Sequence, residues 1–455
     1  MSAAPSSELL SKLFGAAGAR ECLGDRARLQ GMRDFEAALA RAEALVGLIP
    51  PQAAQSIARK CRAELFDVGH LAEAAEKAGN TAIPVISALT LLVGAEDPAA
   101  ARYVHFGATS QDAMDTGLVL QLRQLAGYLS GDVARLAKAL ARLARSHKET
   151  VLPGRTWLQQ ASPVTFGLKA AGWLDAMQRH ATRLADVRAR ALVLQFGGAS
   201  GTLASLGNRG LEVAEALSRE LDLPLPALPW HAHRDRLAEF AAFLGLLAGT
   251  LGKMGRDLSL LMQTEVAEAF EPAGEGRGIS SAMPHKRNPV AAAVALAAAT
   301  RAPGLVATML AGMVQEHERG LGGWHAEWET LPELASLVAG SLRHLAEAME
   351  GLEIDEAQMR ANLGAKGGVA LAEAAMAVLA PRVGRPQAHE IVGTASRRAL
   401  ETRKTLLETL ASDPAVTAHV SPADLAAALE PSAYLGMATA FVDRVLAAQD
   451  AQEDR

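Results

Sequence analysis

The sequence predicts an all-α protein: three helical domains with a central long-helix bundle. Half of its 455 residues are apolar but only 4% are aromatic. Alanine and leucine supply the apolar mass, and both favour helix over strand. Leu237, Phe240, Leu244, Leu247, Leu251, Met254, Leu258 and Leu261 alternate steps of three and four without a break. That is a heptad seam on one long helix, and Leu334, Val338, Leu342, Leu345, Met349 and Leu352 form a similar one. No alternating strand pattern exceeds a few residues.

Taken in chain order, residues 1–108 read as an N-terminal helical domain that ends in the turn-rich stretch His105–Asp112. Its first residues lack a continuous apolar core followed by a cleavage site, so no secretory signal is expected. The central domain, 109–353, holds predicted helices over Gly131–Lys148 and Pro163–Gln195. Asp222–Trp230 carries three prolines and is expected to be an extended connection. Glu271–Pro289 is the longest run of loop chemistry. Val290–Met313 is the most membrane-like stretch, but Arg301 and Pro303 interrupt it and its alanines suit tight helix packing better than lipid. The C-terminal domain, 354–455, is a set of shorter helices punctuated at Gly364–Gly368 and Pro381–Pro386. Long seamed helices bury themselves by lying side by side, and their apolar content points to a bundle core shared between subunits.

Forty-five basic and 50 acidic residues leave a net charge of −5. That balance gives no electrostatic reason to expect nucleic acid or an acidic membrane surface as partner. An anionic small substrate would have to be met by a few local cations. Cys22 and Cys61, without C-x-x-C spacing, fit a reducing compartment and neither a zinc site nor a disulfide framework. A cytoplasmic protein is the expectation.

Gly274, Gly276 and Gly278 give the 271–289 loop backbone freedom. Ser280 and Ser281 follow, then Met283-Pro284, then Lys286, Arg287 and Asn288. A mobile loop with hydroxyls at one end and cations at the other can close over an anion and exclude water. On composition alone, a solvated surface loop remains open. A dinucleotide fingerprint is excluded, because G-E-G-R-G follows a helix rather than a strand.

ISSAMPHKRNP closely resembles the signature of the fumarase/aspartase superfamily, G-S-S-x-M-P-x-K-x-N, with Ile279 in place of the motif's glycine. The resemblance implies that Ser280 is the general base and that Lys286 and Asn288 bind a substrate carboxylate. HFGATSQD (105–112) with Asp115-Thr-Gly117 is similar to the first signature, which implies carboxylate binding by Thr109, Ser110 and Gln111. His105 is read as a substrate ligand, and Asp112 and Asp115 as structural acids at a helix start. Gly154–Gly167 resembles the second signature, in which most lyases carry a catalytic Thr-His; here the histidine position is Trp157. By the same resemblance Gln159 lies near the site and Arg319 reaches a carboxylate. His231 and His233 lack a third metal ligand and a helical metal spacing. With Arg234 they are read as structural.

Superfamily lyases remove a proton alpha to a carboxylate, form an aci-carboxylate and expel an amine or water from the beta carbon. Poor leaving groups need a proton donor, and indole cannot titrate in the useful range. Trp157 therefore marks either an inactive protein or a leaving group that departs unaided, as a carboxylate does. DFEAALARAEALVGLIP, SQDAMDTGLVLQLR, LQFGGASGTLASLG and HERGLGGWHAEWETLPEL all resemble the superfamily's cycloisomerase branch, as does the terminal LEPSAYLGMATAFVDRVL. That resemblance implies lactonisation of a tricarboxylate, 3-carboxy-cis,cis-muconate, in a homotetramer whose sites combine three chains, with no metal or organic cofactor. Two rivals stand beside it. One is a superfamily lyase acting on a succinyl substrate with a good leaving group, nitrosuccinate- or adenylosuccinate-lyase-like; the other is a non-enzymatic protein that keeps the fold. Intact Ser280, Lys286 and Asn288 speak against the last.

Overall fold

A computed structural model describes residues 8–453, which are overwhelmingly helical. Helix α1 spans Asp25–Leu45, and α2, Ser110–Ser146, runs for 37 residues, about 55 Å at the α-helical rise. A hairpin of β1 (Val151–Thr156) and β2 (Gln159–Thr165) leads into α3 (Phe166–Ala191). Three further long helices follow: α4 (Asp235–Leu261), α5 (Val290–Ala311) and α6 (Gly323–Glu350). The all-α expectation holds.

All eight residues of the first predicted seam are buried along α4. The second seam is buried along α6 as far as Met349, and Leu352 falls beyond the helix end. By length and hydropathy α4 and α5 could each cross a bilayer. In α4, however, 61% of the apolar window is already covered by protein. Its apolar face is a bundle core rather than a lipid face.

Two expectations need correction. Helix α2 starts at Ser110, well before the predicted Gly131. Its glycines hide the periodicity, and one of them is required by packing. A Cβ on Gly117 would lie 3.0 Å from the backbone of Gly31, and one on Gly31 would lie 2.6 Å from the Gly117 carbonyl oxygen. Thus α1 and α2 meet backbone to backbone.

The second correction concerns 151–165, where Pro163 is expected to open a helix and Gln159 and Gln160 stand just before it. They lie in β2 instead, antiparallel to β1, with Pro153 opposite Pro163. Neither proline can donate to the ladder, and Gly, Gln and Ser mask the alternation. Helix α3 begins only at Phe166, where the Thr165 hydroxyl accepts the Leu168 N–H at 3.0 Å.

The chain divides into two compact units. Among the described residues, one comprises 8–133 with His180–Gly252 and Val294–His344; the other comprises Ala134–Arg179, Lys253–Ala293 and 345–453. The second includes a small C-terminal core of Leu379, Val392, Leu406, Leu410, Val416 and Leu425. Its helices Ala372–Val383 and Arg385–Thr402 break at Gly384, as the Pro381–Pro386 punctuation predicts.

Candidate active site

In the first unit the start of α2 gathers a polar cluster. The Arg319 guanidinium donates to the Thr109 hydroxyl at 2.8 Å and, less closely, to Gln111 Oε1 at 3.2 Å and the Ser110 hydroxyl at 3.5 Å. Asn80, unremarked in the sequence, also donates to Ser110 Oγ at 3.3 Å. One arginine is thus held over two hydroxyls and an amide, an arrangement suited to a carboxylate. Gln111 itself is buried, its amide nitrogen donating to Asp115 at 3.1 Å and to the His231 carbonyl at 2.9 Å.

Beneath this cluster lie two buried carboxylates. Asp112 accepts the Thr109 N–H at 3.0 Å, the reciprocal half of a capping box. It also accepts from His231 Nε2 at 2.7 Å, Gln195 Nε2 at 3.1 Å and the N–H groups of Gly197 and Gly198 at 3.0 and 2.9 Å. Asp115 accepts both Arg234 terminal nitrogens, at 2.7 and 3.0 Å, while Glu327 takes the other edge of that guanidinium. Burial alone would lower the Arg234 pKa, but Asp115 and Glu327 outweigh it and hold it above its ordinary value. Both acids and Arg234 therefore build the scaffold, as read from the sequence. His231 serves it too, bound to Asp112.

His105 sits just before this cluster with φ of +59°, a left-handed conformation that costs a residue with a side chain of this size about 1–3 kcal/mol. Its Nδ1 lies 2.6 Å from Glu36 Oε1 on α1. Burial alone would lower its pKa; the Glu36 carboxylate, helped by Asp112, more than offsets this and raises it above the ordinary imidazole range. The pairing was not expected from the sequence. Its signal was present in the sequence, since Glu36 and Glu43 sit one heptad apart and Glu36 lies within the apolar run around Phe35, Ala37, Ala38 and Leu39.

The second unit carries the signature loop and the hairpin. Ser280 is half-buried, and its Oγ accepts the Met283 N–H at 3.1 Å. Lys286 is exposed. Asn288 closes the loop on itself: its N–H donates to the Gly278 carbonyl at 2.9 Å and its side chain to the Ile279 carbonyl at 3.1 Å. Gly278 is required there, with φ of +61° and room for no Cβ against the Asn288 carbonyl oxygen at 2.7 Å. Arg287 forks Glu353 at 2.8 and 2.9 Å. Glu271 accepts the first N–H groups of α5, from Ala291 and Ala292, at 3.0 Å each. Both ends of the loop are therefore anchored, and its Ser-Ser-Ala-Met-Pro stretch projects between them.

Trp157 and Leu158 form the two-residue hairpin turn, with Thr156 paired to Gln159. Both have positive φ, +53° and +61°, where a turn of this kind prefers Asn-Gly. They are 95% and 81% exposed. Gln159 is exposed beside them, and Gln160 donates to the Asn362 carbonyl at 2.9 Å.

A helical bundle with a Ser-Ser-x-Met-Pro-x-Lys-x-Asn loop and a polar Thr-Ser-Gln cluster under an arginine defines a fumarase/aspartase-type lyase. A family described as "Lyase" matches residues 10–304, and one described as "Adenylosuccinate lyase C-terminus" matches 368–445. A 3-carboxy-cis,cis-muconate cycloisomerase from Pseudomonas aeruginosa is 58% identical, over 98% of this chain and 97% of its own length. The crystal structure of 3-carboxy-cis,cis-muconate lactonizing enzyme from Pseudomonas putida superposes with a TM-score of 0.93. It is 52% identical, and the match covers 98% of this chain and 99% of that one. A nitrosuccinate lyase from Streptomyces davaonensis is 42% identical, over 99% of this chain and 96% of its own. The chain belongs to the fumarase/aspartase superfamily, in its 3-carboxy-cis,cis-muconate cycloisomerase branch, and is an enzyme of that kind.

Proposed function

We propose that this enzyme interconverts 3-carboxy-cis,cis-muconate and 4-carboxymuconolactone, an isomerase step of the β-ketoadipate pathway. The observation that carries the reading is the end-to-end identity of 58% with a relative of that name, against 42% for the nitrosuccinate lyase. Trp157 supports it chemically. In the lactone-opening direction Ser280, as alkoxide, takes the proton alpha to a carboxylate, giving an aci-carboxylate. The ring C–O bond then breaks, and the departing carboxylate keeps the electron pair without needing a proton. In the cyclising direction the internal carboxylate adds to the double bond and the Ser280 hydroxyl delivers the proton to the alpha carbon. Serine is a poor base unless its alkoxide is stabilised, a role for Lys286 and backbone amides of the closed loop.

The substrate's carboxylates are met by Arg319, Thr109, Ser110, Gln111 and His105, by Asn288, and by Trp157 and Gln159 on the hairpin. The active form is a cytoplasmic homotetramer with sites shared between subunits, and each chain carries three domains, 1–108, 109–353 and 354–455. Two exposed features support association. Only 33% of the apolar window of α5 is buried within the chain, and the Trp157–Leu158 tip is bare. The test is direct: the purified protein is incubated with 3-carboxy-cis,cis-muconate and the loss of diene absorbance is followed. Rapid loss is expected. No loss, with turnover of nitrosuccinate instead, overturns the reading.

A further inference from the structure

We propose that Glu36 is a positioning residue: through its hydrogen bond to Nδ1 it holds the His105 ring as an imidazolium whose outer Nε2–H is presented to a substrate carboxylate. The inference rests on the reading above that His105 and its neighbours bind such a carboxylate.

The geometry carries it. Glu36 is 1% exposed, and the bond of 2.6 Å to His105 is its side chain's hydrogen bond, since Oε2 has no partner. A carboxylate taken out of water at such a place costs several kcal/mol unless a cation faces it. Arg33 on α1 acts on Glu36 at a distance, with no hydrogen bond between them. Arg33 gives Nη2 to the Val85 carbonyl at 2.8 Å and stacks on Phe66, 3.7 Å from the ring centre. His105 is therefore the group that meets the Glu36 carboxylate directly, and it brings a full positive charge there only when doubly protonated.

The alternative, a neutral ring, would bond Glu36 through Nδ1–H and leave a lone pair on Nε2. That lone pair would repel an anion, whereas Thr109 and Ser110, a few residues on in the chain, are assembled with Arg319 to attract one. The remaining charges bear on the ring in known directions. Asp112, at the start of α2, reinforces Glu36, although its oxygens are already spent on His231, Gln195 and two glycine N–H groups. Arg33 opposes it. Glu43, further along α1, is pushed up to about 9 by burial and by Glu36. It is therefore neutral at pH 7 and does not compete for the imidazolium. The strained backbone at His105 fixes where the ring sits, and the close approach of Gly31 to Gly117 fixes α1, which brings the carboxylate to it.

The test is a histidine 13Cε1 NMR titration of the full-length protein, with the His105 signal assigned by His105→Gln. It needs no substrate, so it is independent of which reaction the enzyme catalyses. The expected result is a His105 midpoint above the ordinary imidazole value that falls by at least about one pH unit in Glu36→Gln. Glu36→Asp, one methylene short, should fall between. Alongside, KM for the tricarboxylate should rise with pH through the His105 midpoint, and in Glu36→Gln that rise should begin about one unit lower, with kcat at low pH preserved. A wild-type His105 that titrates at or below the ordinary value overturns the proposal, as does a midpoint that Glu36→Gln leaves in place. A midpoint that moves while the KM profile does not overturns its substrate half: Glu36 would then be a structural partner only. If Glu36→Gln fails to fold, the wild-type titration and Glu36→Asp still decide.

Discussion

Arg155 and Glu268 meet as a bidentate pair, at 2.8 and 2.5 Å, with the carboxylate fully buried and the guanidinium a quarter exposed. Asn362 donates to the same carboxylate at 2.7 Å while its carbonyl accepts from Gln160. Both strands of the hairpin are thereby tied down next to the tip that carries Trp157. Glu268→Ala should cost about 3 kcal/mol, the low end for breaking a buried pair, because Arg155 keeps some access to water. Urea denaturation measures this; a loss below about 1 kcal/mol would show that the hairpin is held by other means.

Ser280 makes one local hydrogen bond, to the Met283 N–H, on a projecting loop. Ser280→Ala is therefore expected to leave the thermal midpoint unchanged and to lower kcat about 10²–10⁴-fold. Turnover at the wild-type rate would remove this serine from the mechanism.

Arg319 spends its guanidinium on the hydroxyls and amide of Thr109, Ser110 and Gln111. A charge-assisted bond from such a group to a substrate carboxylate contributes about 1.5–3 kcal/mol. Arg319→Met should raise KM roughly 10- to 100-fold with a smaller change in kcat. Steady-state kinetics at fixed ionic strength checks it, and an unaltered KM would place the substrate elsewhere.

Leu158 occupies the second turn position with φ of +61° and buries almost nothing within its own chain. Leu158→Gly should relieve about 1 kcal/mol of backbone strain. The variant should unfold at slightly higher urea yet associate or turn over less well, if the exposed leucine serves a neighbouring subunit. Sedimentation and activity are compared on the same preparation.

Glu43 has both carboxyl oxygens unpartnered and its pKa pushed up to about 9 by burial and Glu36. A raised folded-state pKa contributes stability that is full below the unfolded value, near 4.3 for Glu, and is lost as pH rises through about 9. Glu43→Gln keeps the neutral shape, so its stability advantage should grow from pH 5 to pH 9. Melting curves across that window read it out; a constant offset would contradict the assignment.

Much of this fold was legible because its signals are periodic. The seam on α4 runs at helical spacing over its whole length, and every seam residue is buried. The signature loop was legible for another reason: Ser280, Lys286 and Asn288 are close in sequence, so their spacing survives without knowledge of the fold. The hairpin was not legible. Its ladder contains opposed prolines and its turn residues are the opposite of what a two-residue turn prefers, so local preference misreads it as a helix start.

The sequence by itself determined the helical class, the long buried seams, the family and its local signature motif, since each is a pattern over neighbouring residues. Only the tertiary structure decided which charges face one another. Glu36 finds His105, Arg234 finds Asp115 and Glu327, and Glu268 finds Arg155, across separations that no periodicity encodes. The physical reason is that an ion pair's sign and strength depend on distance and burial, and both are set by how helices cross, as where Gly31 lets α1 touch α2 at Gly117.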